Sequence, residues 1–256
     1  MAPRNLRVTA LIPAFDAAAH LGGVLMGLAA LEVPIEILVV DDGSRDATAE
    51  VARQHRVPVL QFAANRGKGH ALIAGFEALK HCDAVITLDA DGQHPPECVP
   101  ALIAAAESGA DVVLGSRQFG AGMPPLRRFA NHWSSAWSSA IAGARISDSQ
   151  CGYRLYRREV LEAVPVTPGR YEIETEMAIR AAMLGFRVVE VTVPTVYGEE
   201  KSGIRLTRDV PRIIGTMARL TVERWLPPIS MRSARRRVAA VPRGEAPRTP
   251  NAGAGL

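Results

Sequence analysis

The 256-residue sequence predicts an α/β fold, a mixed, mostly parallel sheet covered by helices on both faces. Three observations predict it. Apolar, β-branched runs alternate with helical patterns through the first half of the chain. Those runs are continuously apolar rather than alternating, as strands buried on both faces are. Unusual polar segments follow four of the five runs at their carboxyl ends, where an open parallel sheet forms its ligand crevice.

In chain order the strand-like runs are residues 7–12 (RVTALI), 35–40 (IEILVV), 58–62 (PVLQF), 83–88 (DAVITL) and 111–116 (DVVLGS). Helical patterns occupy 17–31, 46–54, 68–80 and 95–107 between them. Further on, Leu126, Phe129, Trp133, Trp137 and Ile141 recur at helical spacing, with Arg127, Arg128, Asn131 and several serines interleaved. Residues 148–160 (DSQCGYRLYRREV) read as a loop, a short strand and a helix start. A helix over about 172–184 precedes a strand at 186–193, and 197–203 (YGEEKSG) is a loop. Leu206, Val210, Ile213, Met217, Leu220 and Arg224 mark one stripe of an amphipathic segment that Pro211 should start or kink.

An apolar content of 48% over this length supports one large α/β domain or two small ones. Cys82, Cys98 and Cys151 are an odd number at spacings that suit neither a zinc site nor a disulfide framework, which points to a reducing compartment. No run approaches the ~18 consecutive apolar residues that a membrane span needs, and the first strand begins too early for a signal peptide. The expectation is a cytoplasmic protein that at most touches the inner face of the cell membrane. The net charge of +4 is concentrated at the end: residues 227–256 hold six arginines against Glu245, leaving the rest near −1. That Pro-, Ala-, Gly- and Arg-rich tail is expected to be disordered, its arginine cluster a solvated tail or a contact for anionic lipid. The body gives no reason to invoke nucleic acid.

The four polar segments carry the chemistry. In LDADGQH (88–94), Asp89 and Asp91 fall on one side of an extended chain, and Gly92 permits a turn that returns Gln93. Carboxylate and amide oxygens converging there suit a hard divalent cation that completes its shell from a phosphate. DDGS sets Asp41 and Asp42 at a strand mouth, where a carboxylate can accept from a ribose or base; Ser44 or Asp46 is also placed to cap the next helix. NRGKGHA (65–71) lacks the Walker spacing, so Lys68 belongs either to a turn beside a nucleotide pocket or to a purely structural helix start. No G-x-G-x-x-G follows the first strand, which counts against a dinucleotide dehydrogenase. The aromatic stripe of Trp133 and Trp137 reads as domain packing or as a membrane interface.

Taken together and in order, PAFDA, VVDDGS, NRGKGHA, LDADGQH, GSR and DSQCGYR resemble the family 2 glycosyltransferases, which have the Rossmann-like GT-A fold. Within the family they are most similar to the polyprenyl-phosphate hexosyltransferases, of the dolichol-phosphate mannose synthase type. The resemblance spans about residues 6–215. It implies a glycosyltransferase domain over 1–226, with a nucleotide-sugar part at about 6–117 and an acceptor part at about 118–226. It further implies that Pro13 and Phe15 line the base pocket, that Val39 and Asp41 contact base and ribose, and that Asp89, Ala90 and Asp91 hold the sugar nucleotide. Asp91 and Gln93 would ligate Mg²⁺ or Mn²⁺. Arg117 would contact donor or acceptor phosphates, Asp148 with the Cys151-Gly152-Tyr153-Arg154 that follows would lie beside the reaction centre, and Lys201 with Ser202 would sit on a closing loop. The first motif departs from the family's Pro-x-Tyr-Asn-Glu, since Asp16-Ala17 lacks the glutamate.

A phosphate acceptor is already anionic and needs no general base, whereas two anions must be brought together by cations; Arg117, Arg127, Arg128 and Lys201 are the candidates. A sugar hydroxyl acceptor would instead need a base, for which Asp148 is nearest. The expected reaction is inverting, metal-dependent transfer of a hexose from a nucleotide sugar of the GDP-mannose or UDP-glucose type to a polyprenyl phosphate. The rival readings are a non-polyprenyl glycan, glycolipid or small-molecule acceptor, a non-catalytic nucleotide-sugar-binding module, and a sugar nucleotidylyltransferase without its glycine-rich signature.

Overall fold

The computed structural model describes residues 6–117, 125–166, 172–194 and 206–240, with the side chains of 125–130, 206–210 and 240 outside the described set. Strands β1 (Val8–Ala14), β2 (Glu36–Asp41), β3 (Val59–Gln61), β4 (Ala84–Thr87), β5 (Val112–Arg117), β6 (Arg154–Arg157) and β7 (Val188–Val193) form one sheet in the order β3-β2-β1-β4-β6-β5-β7. The β1–β2, β1–β4, β2–β3 and β5–β7 pairs are parallel. Only β6 runs against its neighbours β4 and β5. The mixed, mostly parallel sheet expected from the continuous apolar runs is what forms.

Period-two alternation divides each strand between two cores. Leu11, Val40, Val85, Val112 and Tyr156 face one of them, which also takes in Leu72 and Phe76 of α3 (Lys68–Ala78) and Met177 of α7 (Glu172–Met183). Ile12, Val39, Ile86, Val113 and Leu155 face the other. There they meet Leu21 and Leu25 of α1 (Ala18–Ala29), Ala52 of α2 (Thr48–Gln54) and Leu102 of α4 (Val99–Glu107). A fully buried leucine contributes roughly 1.5–3 kcal/mol, so the paired layers fix the register in which the strand ends line up.

The reversed strand has the main functional consequence. Because β6 pairs antiparallel, its first residue, Arg154, lies opposite Thr87 at the end of β4 and Leu114 in β5. The loop that precedes it, residues 148–153, is therefore delivered to the same rim as the polar segments that follow β1, β2, β4 and β5.

Beyond α7 lie α5 (Pro125–Ala142), α8 (Leu206–Trp225) and α9 (Ile229–Ala240), with the short α6 (Arg158–Ala163) following β6. One expectation narrows here and another changes. Helix α8 begins at Leu206, so Pro211 does not start it and lies inside it; the downstream turns are held by Met217 and Leu220, both buried. The tail expected to be disordered from residue 227 instead forms α9, which packs against α6 and buries Met231 and Ala234. Met231 and Ala234, one turn apart, with Val238 packed beside them, dock a helix whose composition alone predicts none. Residues 241–256 lie outside the described set.

Helices α7 and α8 are joined by charge as well as by packing. Arg180 reaches Glu176 at 2.7 Å and Glu223 at 2.8 Å, and Arg219 reaches Glu176 at 3.0 Å and Glu223 at 3.6 Å. Arg180 and Glu176 are buried, whereas the Arg219 side chain is 39% exposed. Arg219→Ala is expected to cost only about 1 kcal/mol in urea unfolding, because solvent screens its contribution and Arg180 still holds both carboxylates.

Candidate active site

The loops after β1 to β5 meet the 148–153 loop at the carboxyl rim, and several of them are tied to their neighbours. After β1, Asp16 adopts a left-handed conformation (φ 48°), and its Oδ1 accepts the Arg45 N–H at 2.8 Å while its own N–H donates to Ser44 Oγ. The Ala17 and Ala18 N–H groups donate to Thr48 Oγ1 and Asp46 Oδ2 across the same junction. Asp46 also accepts the N–H of Thr48, the first residue of α2; the N-cap position itself falls to Ala47, so Asp46 satisfies the helix start from one residue further out. These bonds lock the β1 and β2 loops together and leave Phe15 exposed at the rim.

Several predicted ligand contacts take a different part. Val39 is fully buried inside the core below the rim, and Pro13 is buried in β1 beside Val40, so neither offers surface to a base. Asp41 is also inaccessible; its carboxylate accepts from the N–H and hydroxyl of Ser44 and from Gln61 Nε2. Both oxygens of Asp42 accept backbone N–H groups at 2.7 Å, those of Arg66 and Gly67. The physical reason is common to both. A buried carboxylate must be satisfied, and the nearest donors are those of the adjoining loops rather than of a ligand. Asp41 and Asp42 are therefore the clamps that shape the crevice.

Lys68, whose role was open, is drawn into the centre. Its Nζ lies 2.6 Å from Asp89 Oδ1 and 2.8 Å from Glu174 Oε2 at the start of α7. Burial alone lowers an ammonium's pKa, but the Asp89 and Glu174 carboxylates outweigh it and hold Lys68 well above its ordinary value. Asp89 shows the converse: burial raises it, yet Lys68 first, then His94 and Arg117, bring it below the usual carboxylate range. The pair fits only because residue 152 is glycine. A Cβ there would stand 2.7 Å from Asp89 Oδ2 and 2.9 Å from Lys68 Nζ. Gly152→Ala is accordingly expected to lower stability by about 1–3 kcal/mol, read by chemical unfolding, as the buried ion pair is forced apart.

Past Asp89 the chain turns. Ala90 is buried, Gly92 has φ 73°, and Asp91 Oδ1 accepts the Gln93 N–H at 3.0 Å. Asp91 and Gln93 are partly exposed and place a carboxylate and an amide on the turn that follows Asp89. Among the described residues no group of three or more His, Cys, Asp or Glu side chains gathers to hold a metal. The all-oxygen pair fits a hard cation that draws the remainder of its shell from a diphosphate and water.

Opposite, at the end of β5, Arg117 Nε and Nη2 donate to Asp148 Oδ2 at 2.6 Å and Oδ1 at 3.0 Å. Asp148 is buried and its Oδ1 also accepts the Gln150 N–H. This fork-to-fork pair fixes the plane of the guanidinium at the rim. Arg127 and Arg128 lie on α5 with side chains outside the described set, and Lys201 and Ser202 are outside it altogether.

Sequence reasoning gave no role to Glu174 or His94, and implied Arg154 only as part of the segment beside the reaction centre. Glu174 is the second counter-ion of Lys68, from a helix 106 residues away. Arg154, fully buried, donates to the carbonyls of Ser149, Cys151 and Glu174 and so shapes the 148–153 loop against α7. His94 is buried beside Asp89 with Nδ1 unpartnered among the described residues, and burial, with Arg117 and Lys68, moves it toward the neutral form despite Asp89. Burial also pushes the neighbouring Cys151 thiol up to about 12, which rules it out as a thiolate.

Comparison with known proteins identifies the family. Residues 9–164 match the family described as glycosyl transferase family 2, and the chain belongs to that family. It is 36% identical over 185 residues to the polyprenol monophosphomannose synthase of Mycolicibacterium smegmatis, covering 66% of this chain and 69% of that one. To the undecaprenyl-phosphate mannosyltransferase of Micrococcus luteus it is 33% identical over 208 residues, covering 76% and 85%. Among solved structures, glucosyl-3-phosphoglycerate synthase from Mycobacterium tuberculosis, in complex with Mn²⁺, UDP and glucosyl-3-phosphoglycerate, superposes with a TM-score of 0.70. That match covers 85% of this chain and 80% of the other at 18% identity, a likeness of fold. The GT-A architecture expected from the motifs is thus the one observed.

Proposed function

We propose that the chain is an inverting, metal-dependent hexosyltransferase that moves a sugar from a nucleotide sugar to a polyprenyl phosphate at the cytoplasmic face of a membrane. The observation that carries the acceptor assignment is the state of Asp148. A general base must have an oxygen within reach of an incoming hydroxyl, but Asp148 is buried and gives both oxygens to Arg117. A phosphate acceptor needs no such base. Its oxygen attacks the anomeric carbon as the bond to the diphosphate breaks, and the nucleoside diphosphate departs with the electron pair. The relatives, named as a polyprenol monophosphomannose synthase and an undecaprenyl-phosphate mannosyltransferase, support the same class.

On this reading Asp91 and Gln93 would hold Mg²⁺ or Mn²⁺, which would supply positive charge against the negative charge developing on the departing diphosphate. Phe15 offers its ring to the base, and Asp89, oriented by Lys68, faces the nucleotide sugar. Arg117, its guanidinium plane oriented by Asp148, meets a phosphate, with Arg127, Arg128 and Lys201 as further cations from the acceptor side. The test is incubation with radiolabelled UDP- and GDP-sugars, polyprenyl phosphate and Mg²⁺ or Mn²⁺. Label is expected in the organic phase. Nucleotide diphosphate released by a donor sugar without lipid labelling would defeat the polyprenyl assignment.

A further inference from the structure

Helix α8 is apolar on two sides. Met217 and Leu220, from the stripe legible in the sequence, are buried, where α8 packs on α5 and α7. A second stripe, Ile214, Ala218, Val222 and Trp225, recurs at steps of four, four and three residues and is exposed along its whole length. It runs into the corner between α8 and α9, where Trp225 is 76%, Leu226 75% and Ile229 74% exposed. A monomer seldom leaves such a contiguous apolar surface open without use. One turn beyond Ile229 begins a row of exposed arginines, Arg232, Arg235, Arg236 and Arg237, on a helix that contains no acidic residue.

We propose that this corner is a membrane-seating surface: Val222, Trp225, Leu226 and Ile229 enter the interface of an anionic bilayer, while the α9 arginines lie over its head groups. Charge complementarity selects this occupant. An apolar insertion beside a polybasic helix is the two-signal arrangement that holds a protein reversibly on anionic lipid. Tryptophan at the edge of the insertion suits the head-group layer. A second copy of the chain fits worse, because a two-fold contact across this corner would set four arginines against their own counterparts. No helix among the described residues is long and apolar enough to cross a membrane, so a seated surface is what these residues offer. The inference rests on the proposed reaction only in that a lipid acceptor explains the use of such a surface.

Co-sedimentation of the full chain with vesicles that contain neither donor nor polyprenyl phosphate tests it separately from catalysis. The chain is expected to bind phosphatidylglycerol–phosphatidylcholine vesicles in a salt-sensitive way, and phosphatidylcholine vesicles far less. The triple variant Trp225→Ser, Leu226→Ser, Ile229→Ser should reduce partitioning by at least about tenfold, and so should Arg235→Gln, Arg236→Gln, Arg237→Gln. Because these side chains are exposed, both variants should keep the parent's unfolding midpoint, which separates lost binding from lost fold. A chain that stays in the supernatant, a serine variant that sediments like the parent, or equal binding to neutral and anionic vesicles would overturn the proposal. So would a dimer in light scattering that the serine variant dissociates, which would give the surface to a second copy.

Discussion

Lys68→Met is expected to cost about 3–5 kcal/mol of stability at neutral pH. The side chain is 14% exposed and those of its partners Asp89 and Glu174 are 29% and 7% exposed, so the variant leaves two carboxylates without the cation that gathers them. The dependence on pH separates this charge effect from lost packing. Lys68 is held above its ordinary value, so its contribution is complete below about pH 10 and fades only as pH rises through the folded value. Asp89 is held below its ordinary value, so its contribution is present above about pH 4 and is lost as pH falls through the folded value. Between those limits the parent's stability is insensitive to this pair. In the variant Asp89 keeps the burial that raises its pKa and loses the largest charge that lowers it, so it gains a proton on folding as pH drops from 7.5 to 5. Urea unfolding at the two values should show the deficit narrowing toward pH 5. A deficit of equal size at both would mean that Lys68 acts by packing alone.

The same residue shows what a linear sequence conveys and what it withholds. A lysine opening a helix opposes the positive end of the helix dipole, and within NRGKGHA nothing compensates it. The compensation comes from Asp89, which is legible as part of a rim motif, and from Glu174, which is not, because its pairing depends on where α7 docks. The motifs at the ends of β1, β2, β4 and β5 were legible because the sheet's topology sends all parallel carboxyl ends to one side. The contribution of the 148–153 loop to that rim depends on the reversal of β6, and RLYR does not encode strand direction. Asp41 and Asp42 were read as ligand contacts because paired carboxylates invite a partner. Ser44 is a local partner of Asp41, but Gln61 on β3 and the Arg66 and Gly67 amides come near only once β2 and β3 are paired and α3 is seated. For α9, composition argued against order, and the packing of Met231 and Ala234 overrode it.

Asp91→Asn is expected to lower kcat by roughly 10²–10³-fold with little change in the unfolding midpoint. The asparagine oxygen can still accept the Gln93 N–H that Asp91 Oδ1 takes at 3.0 Å, so the turn at Gly92 survives while the charge that would hold a divalent cation is removed. Raising Mn²⁺ should recover part of the activity, because the remaining oxygens bind more weakly rather than not at all. Asp89→Asn should behave differently. It removes the nearer of two carboxylates from a buried ammonium, so a fall in stability should accompany the fall in rate, and added metal should restore neither. Two aspartates separated by one residue would then be resolved into a metal ligand and a partner of Lys68 by their different responses to metal and to urea. If Asp91→Asn retained full activity at every metal concentration, the DADGQ turn would not be the metal site, and the rim would have to assemble one from a carboxylate outside it.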